Sequence, residues 1–213
     1  MELVWSPETA LEAYVDTVKS CGTSLESSAP ELVSAMAAGW QATQVVETWS
    51  CGGATSTSIG LAVAAHHTGG RHTCLVPDEE SSSEYTEVME KSGHSPEVIV
   101  GSPETAIMGL EDIDFMVVDG RRHDLTTTIL NSAKLGRKGA VLIRKHAGGS
   151  SAARDFRWRS VIRRRIVRTV FLPVGKGLDV AYIGATGETS GENHSCWIKQ
   201  IDQRSGEELI IRK

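Results

Sequence analysis

Apolar and polar positions alternate with two different periods along the chain, and each period predicts a different kind of element. Near the N-terminus the period is helical, and Ser6 and Pro7 fit the cap and the first position of a helix. A second helix is predicted to begin at Pro30 and to end at Gly39. Four apolar residues form one stripe on the first helix: Leu11, Tyr14, Val15 and Val18.

Further along, short runs of almost continuous apolar residues alternate with helical segments. The runs predict five strands, at 43–48, 73–76, 97–100, 115–118 and 140–143. The segments between them predict helices at 56–67, 84–92, 104–110 and 124–135. Because strands buried on both faces read as continuous apolar runs, this alternation predicts an α/β fold. We expect a Rossmann-like, doubly wound sheet of about five parallel strands with helices on both faces.

The pattern changes after residue 147, where a Gly-Ser-rich joint leads into an arginine-dense stretch. Two strands follow at 167–172 and 179–185, and their short connection requires antiparallel pairing. Beyond a polar loop, the runs 195–201 and 207–212 predict a C-terminal antiparallel hairpin. The predicted organisation has three segments: an N-terminal helix and loop (1–29), a Rossmann-like domain (30–185), and a polar loop with the C-terminal hairpin (186–213).

Composition narrows the class of protein. With 213 residues, 40% of them hydrophobic and 23% charged, the chain can bury its own core and is not disordered as a whole. Its four cysteines include no C-x-x-C pair, which argues against a zinc knuckle and favours a reduced, intracellular protein. The sequence has no signal-peptide pattern and no membrane-spanning run. We therefore expect no membrane association and a cytoplasmic location, with the nucleus as an alternative.

Charge is unevenly distributed. Residues 154–168 contain seven arginines and one acid and carry a net charge of +6. Because the whole chain has a net charge of −5, the other residues together carry −11. Such a stretch can bind RNA, an anionic lipid surface or an acidic partner. It can equally be a solvated edge whose arginines pair with the acidic body of the protein. The acidic balance favours the second interpretation, and nucleic acid is not the expected partner.

Ligands of open α/β sheets bind beyond the carboxyl ends of the strands. The turn after the first predicted strand runs from Glu47 to Thr55 and contains Gly52 and Gly53, which let a ligand approach the backbone. The turn is neither a P-loop nor a G-x-G-x-x-G dinucleotide motif. Its hydroxyls fit either an anion at the next helix or a purely structural cap.

Two acids and two histidines stand near other strand ends. Asp78 follows the second strand and fits either a ribose contact or a helix start. Asp119 ends the fourth strand and fits a ligand contact or a loop cap. His123 lies close to Asp119 in sequence, and His146 follows the fifth strand, so these histidines are the candidates for a catalytic base. A serine hydrolase is not indicated, because the G-x-S-x-G elbow is absent.

The order of elements over 30–185 resembles a class I S-adenosylmethionine-dependent methyltransferase, and more narrowly the caffeoyl-CoA O-methyltransferase type. The segment 172–178, LPVGKGL, closely matches that family's L-P-I-G-x-G-L hairpin, and 116–119, MVVD, matches its F-V-D strand end. The family's E-[IV]-G-x-x-x-G-x-S motif falls on 47–55, and its E-G-x-A motif falls on 100–103. The resemblance implies S-adenosylmethionine as cofactor and these cofactor-binding residues: Glu47, Gly53, Thr55, Asp78, Gly101 and Asp119. It extends to a plant subgroup of methyltransferase-like proteins.

The sequence also departs from that family. Trp49 replaces the first glycine of the first motif, where the backbone should approach the methionine part of the cofactor. Arg144 and Lys145 replace the family's metal-binding Asp-Asn pair, and two cations cannot ligate Mg²⁺, so no metal is expected. The leading expectation is a metal-independent methyltransferase with a small-molecule ligand and an unnamed acceptor, and a homodimer is compatible with it. The alternatives are a non-catalytic binding protein with a decayed cofactor site, and an RNA or acidic-partner binder acting through 154–168.

Overall fold

The computed structural model describes residues 5–21, 28–148 and 156–186, together with the backbone of two strands at 197–201 and 208–212. Most of the predicted loop at 22–29, most of the Gly-Ser joint and most of the polar loop before the last hairpin lie outside the described residues. The division into three segments therefore stays a prediction.

Helices and strands alternate through the first two thirds of the chain. The helices are α1 (Pro7–Cys21), α2 (Ala29–Gly39), α3 (Ser56–Thr68), α4 (Glu79–Lys91), α5 (Pro103–Ala106, followed by a 3-10 turn at Ile107–Gly109), α6 (His123–Ser132) and α7 (Trp158–Val161). The strands are β1 (Gln44–Thr48), β2 (Arg71–Val76), β3 (Glu97–Val100), β4 (Phe115–Asp119), β5 (Ala140–Lys145), β6 (Ile166–Leu172), β7 (Leu178–Ile183), β8 (Trp197–Ile201) and β9 (Glu208–Arg212).

Seven strands form one sheet in the order β3-β2-β1-β4-β5-β7-β6. The first five are parallel, and β7 pairs antiparallel with both β5 and β6. This confirms the predicted doubly wound α/β fold of about five parallel strands. The last two strands, β8 and β9, pair antiparallel in a separate two-stranded sheet. This is the C-terminal hairpin that the sequence predicts.

The sheet is buried on both faces by two apolar clusters. Val45 of β1 packs with side chains of α2, α3 and α4, whereas its neighbour Val46 packs with those of α6 and α7 on the other face. Successive strand residues point to opposite faces, so both neighbours are fully buried. The two layers of helices leave the carboxyl ends of the parallel strands as the edge where loops can form a site.

The structure corrects two predicted helix boundaries and shows two features that the sequence did not predict. Helix α4 begins at Glu79 rather than at residue 84, because the Asp78 carboxylate accepts a hydrogen bond from the Ser81 amide at 2.8 Å and caps it. Helix α6 ends at Ser132 rather than at 135. The short helix α7 was not predicted. The apolar stripe of α1 lies outward and is 40–63% exposed, because α1 packs inward through small residues such as Ala13.

No helix in the described part of the chain is long and apolar enough to cross a membrane.

Candidate functional site

The carboxyl ends of β1 and β4 are adjacent at the centre of the sheet, where the strand order reverses direction. This is the position at which open α/β sheets bind ligands. Loops after β1, β2, β3 and β4 surround a cavity of about 600 Å³, the open cavity, whose lining includes Trp49, Pro77, Ser102, Asp119 and Arg122. Its volume is in the range that accommodates a small organic ligand.

A second space, the closed cavity, adjoins the open cavity beside the loop after β1. It measures only about 30 Å³ and is bordered by Trp49, Gly53, Asp119, Arg121 and His146. Because one water molecule needs roughly 10–15 Å³ of such volume, this space holds about two waters and no larger group. The two spaces together form a crevice that is open at one end and closed at the other.

Trp49 is one of the residues that close this end of the crevice. Its side chain is 5% exposed, and its ring packs on Tyr85 with a centroid separation of 5.3 Å. An ideal Cβ placed on Gly53 would lie 2.9 Å from the indole Nε1, so Gly53 has no room for a side chain. The buried Nε1 has no hydrogen-bond partner among the described residues. An unpaired buried N–H is costly, so this atom is a free donor at the border of the crevice.

The loop amides that follow Trp49 are already bound within the protein. The Cys51 amide donates to Ser81 Oγ at 3.1 Å, and the Gly52 amide donates to the Glu84 carboxylate at 3.3 Å. The Cys51 thiol donates to the same carboxylate at 2.7 Å, and this hydrogen bond is the main reason that its pKa is raised. Helix α4 therefore holds the glycine turn in place, and Gly52 adopts a left-handed φ of +70°.

Asp119 and His146 meet at the other side of the crevice. The His146 Nδ1 atom lies 3.0 Å from Asp119 Oδ1, and the pair forms because Asp119 is in register with Lys145 on the neighbouring strand. Burial alone would raise the pKa of Asp119, but hydrogen bonds from His146 and Arg121 hold it well below its usual range. The ionised carboxylate therefore accepts from Nδ1–H and leaves Nε2 as the basic nitrogen.

His146 also lines a further cavity of about 690 Å³, the hairpin cavity, which lies between the end of β5 and the β6–β7 connection. The other lining residues used below are Arg121, Phe171, Pro173 and Lys176. His146 has a left-handed φ of +59°, which is uncommon outside glycine and marks a conformation that the surrounding structure enforces. Its imidazole thus stands at the boundary between the crevice and the hairpin cavity.

Glu47 lies beneath the crevice rather than in its lining. Its fully buried carboxylate accepts from the Tyr85 hydroxyl at 2.7 Å and pairs with His72 Nε2 at 3.1 Å. Burial alone would raise the pKa of Glu47, but the hydrogen bonds from His72 and Tyr85 and the charge of Lys145 lower it. Because Tyr85 also packs on Trp49, this network supports the indole from below.

The remaining predicted residues are less closely grouped. Thr55 precedes α3 without a side-chain capping bond, and Asp78 caps α4. Gly101 follows β3 with a φ of +144°, and its amide donates to Val76 O at 2.9 Å. His123 lies outside the three cavities and packs edge-on against Phe156 with a centroid separation of 5.7 Å. The structure thus brings together Gly53, Asp119 and His146, and not His123.

Arg144 and Lys145, which stand where the resemblance predicts a metal-binding Asp-Asn pair, have different surroundings. Arg144 is 2% exposed, donates to Asp179 at 3.3 Å, and lies 4.1 Å from the centre of the Phe156 ring. Burial lowers its pKa, and the Asp179 charge opposes that effect. Lys145 borders the closed cavity. Among the described residues, no three His, Cys, Asp or Glu side chains are grouped so that they could hold a metal ion.

The arginine-dense stretch is partly internal. The Arg164 guanidinium donates to three backbone carbonyls, those of Leu135, Gly136 and Gly184, at 2.7–3.0 Å. The interleaved aromatics Phe156 and Trp158 are buried in the core. Other arginines of the stretch remain exposed: Arg157, Arg159, Arg163, Arg165 and Arg168. Arg164 thus joins α6, β5 and β7 through main-chain carbonyls rather than through the acidic residues expected from the sequence.

Three residues that line these cavities were not among the site residues predicted from the sequence. Arg121 borders both ends of the crevice, and Phe171 and Lys176 line the hairpin cavity. The position of Arg121 two residues after Asp119 was the available signal, because a strand-end acid followed by a cation often forms a local pair.

This fold is that of the class I S-adenosylmethionine-dependent methyltransferases. The methyltransferase from Geobacter sulfurreducens matches with a TM-score of 0.58, covering 82% of this chain and 88% of that chain at 21% identity. The S-adenosylhomocysteine-bound methyltransferase from Podospora anserina matches with a TM-score of 0.58, covering 84% and 89% at 16% identity. The Streptomyces achromogenes O-methyltransferase of tomaymycin synthesis, in complex with S-adenosylmethionine, matches with a TM-score of 0.53, covering 82% and 90% at 18% identity. At these identities the likeness establishes the fold.

All 213 residues of the chain match the family described as "Protein of unknown function (DUF1442)", and the chain belongs to that family. No match to this sequence was found among curated proteins.

Proposed function

We propose that this chain is an S-adenosylmethionine-dependent methyltransferase that acts on a small molecule without a metal ion. The observation that carries the proposal is the Asp119–His146 pair, joined at 3.0 Å where the crevice meets the hairpin cavity. Two cavities separated by an oriented imidazole are the arrangement that a group transfer between two bound molecules needs. Binding of S-adenosyl compounds by solved proteins of the same fold supports the cofactor class.

The residues present fit the cofactor unevenly. The open cavity, at about 600 Å³, is large enough for a nucleoside. The closed cavity, at about 30 Å³, is too small for the amino-acid tail in the conformation described. Binding of the whole cofactor therefore requires a local opening around Trp49 or Arg121. When bound, the cofactor would supply an electrophilic methyl group.

Each chain residue has a distinct proposed role in this scheme. Asp119 holds the His146 ring through Nδ1, so that Nε2 can accept the proton of an acceptor hydroxyl bound in the hairpin cavity. Gly53 keeps the loop close to the crevice because a side chain there would collide with Trp49. Lys176, at the far wall of the hairpin cavity, favours an acceptor that carries negative charge.

A calorimetric titration with S-adenosylhomocysteine tests the proposal without knowledge of the acceptor. We expect binding to the wild-type chain and none to Gly53→Arg, whose Cβ would lie 2.8 Å from Ser50 O and 2.9 Å from Trp49 Nε1 at the border of the closed cavity. The matched control is Gly109→Arg, because a side chain at exposed Gly109 meets nothing within 4 Å. Absence of heat with millimolar ligand would refute the proposed cofactor, and equal binding by Gly53→Arg would show that the site lies elsewhere.

A second candidate function is a non-catalytic binding protein that keeps the fold. The small volume beside Trp49 favours it, since the tail of S-adenosylmethionine has no space there while Trp49 keeps this position. It predicts that S-adenosylhomocysteine does not bind even when the indole is removed. The same titration, repeated on Trp49→Gly, therefore separates this candidate from the methyltransferase.

We also propose a location, a subgroup, an oligomeric state and a partner for this chain. The cytoplasmic location, with the nucleus as an alternative, and the plant subgroup are supported by composition and by the family resemblance. A homodimer is supported by the exposed apolar stripe on α1, which leaves Leu11 and Val18 uncovered among the described residues. Binding of RNA or an acidic partner through 154–168 is supported by the arginines that remain exposed.

A further inference from the structure

Arg121 is the residue that the open, closed and hairpin cavities have in common. It follows β4 by two residues, and its side chain borders the closed cavity and donates to Asp119. A change in the position of this one side chain would therefore alter the connection among all three spaces.

The position of Arg121 is fixed by one carboxylate. Its amide donates to Asp119 Oδ1 at 3.0 Å and its Nε donates to Oδ2 at 2.7 Å, while Nη2 also contacts Oδ2. The Arg121 side chain is nevertheless 55% exposed. Water therefore competes with Asp119 for the guanidinium, which makes this ion pair weaker than one between two fully buried groups.

The volumes on either side of this contact define which ligands can enter. S-Adenosylhomocysteine and 5′-methylthioadenosine share the adenosine and the thioether, and they differ by the amino-acid tail. The open cavity, at about 600 Å³, suits the shared part, whereas the closed cavity, at about 30 Å³, excludes the tail. Arg121 and Asp119 border the closed cavity together with Trp49, so their contact is one of the features that keep the amino-acid tail out of it.

We propose that Arg121 is a latch that restricts the resting crevice to adenosine-type nucleosides without an amino-acid tail. While it is bound to Asp119, the site takes ligands such as 5′-methylthioadenosine, and its release admits S-adenosylhomocysteine or S-adenosylmethionine. This inference rests on the proposed function, because it assumes that the crevice is the nucleoside site. With the open form populated at about 10%, tailed ligands bind about tenfold more weakly than they would to a fully open site.

The test is a calorimetric comparison of two ligands on three proteins. The wild-type chain is expected to bind 5′-methylthioadenosine about tenfold more tightly than S-adenosylhomocysteine. Arg121→Ala is expected to raise the affinity for S-adenosylhomocysteine about tenfold and to change that for 5′-methylthioadenosine by less than about twofold. The matched control is Arg163→Ala, which removes the same charge from an exposed position outside the three cavities and should keep the wild-type ratio.

The outcomes separate the latch from the site itself. An unchanged ligand ratio in Arg121→Ala overturns the latch while the proposed function stands. A fall in S-adenosylhomocysteine affinity in that variant also overturns it, because the guanidinium would then hold the tail rather than exclude it. If neither ligand binds to any of the three proteins, both the latch and the proposed nucleoside site are wrong. Circular dichroism confirms that each variant is folded.

Discussion

Replacing Trp49 with glycine should have two opposite effects, one on stability and one on ligand affinity. The indole is 95% buried and packs on Tyr85. Removing a buried aromatic side chain costs about 3–5 kcal/mol. The change also removes an indole N–H that is buried without a partner, and such a group costs about 1–3 kcal/mol. The expected net loss in the free energy of unfolding is therefore about 2 kcal/mol.

The same substitution enlarges the closed cavity, which now measures about 30 Å³. We expect the affinity for S-adenosylhomocysteine to rise about tenfold, because the ligand no longer has to displace the ring. Urea denaturation followed by circular dichroism measures the stability, and isothermal calorimetry measures the affinity. Trp49→Phe keeps a ring against Tyr85, so it should show smaller changes in both quantities and serves if the glycine variant fails to fold.

Trp40→Ala is the matched control for Trp49→Gly. Trp40 is half-buried and packs on Tyr182 with a centroid separation of 5.9 Å, away from the three cavities. It should lose stability without any change in ligand affinity. A folded Trp49→Gly variant with an affinity for S-adenosylhomocysteine no higher than that of the wild type and Trp40→Ala would contradict a role of the indole in closing the crevice.

The remaining predictions concern the supports of the site. Tyr85→Phe should lower the free energy of unfolding by about 1.5–3 kcal/mol, because Glu47 loses a charge-assisted hydrogen bond, and a loss below about 0.5 kcal/mol in urea denaturation would contradict that role. Stability should fall as the pH decreases below about 4, because Glu47 and Asp119 have lowered pKa values in the folded protein and must be protonated as the pH falls; denaturation midpoints that do not decrease toward low pH would contradict this. Arg164→Ala should cost about 3 kcal/mol through its lost carbonyl contacts, whereas exposed Arg159→Ala should change stability by less than about 0.5 kcal/mol; equal effects would contradict the structural role of Arg164.

Most of the fold could be predicted because the strands are buried on both faces. Continuous apolar runs such as the one at Phe115 and the one at Ala140 leave few alternatives to a parallel sheet. The start of α4 was missed because its first turns are polar and largely exposed and so carry no apolar stripe. Asp78 was the available signal for the start of this helix. From the sequence it fitted either a ribose contact or a helix start, and both interpretations were left open.

The candidate site was predictable only in part. Each acid at a strand end was recognised, but the pairing of Asp119 with His146 depends on how β4 and β5 are aligned, and sequence spacing does not give that register. His123 is nearer to Asp119 along the chain, yet it faces Phe156. The closing of the crevice was foreseen at Trp49, whereas the role of Arg121 required the side-chain contacts with Asp119.

The central claim is that the crevice at the ends of β1 and β4 binds an S-adenosyl nucleoside. Its most direct test is a calorimetric titration of the wild-type chain with S-adenosylhomocysteine and 5′-methylthioadenosine. We expect saturable one-to-one binding of both compounds, with the tail-less nucleoside bound more tightly. Absence of heat from either compound at millimolar concentration would contradict it.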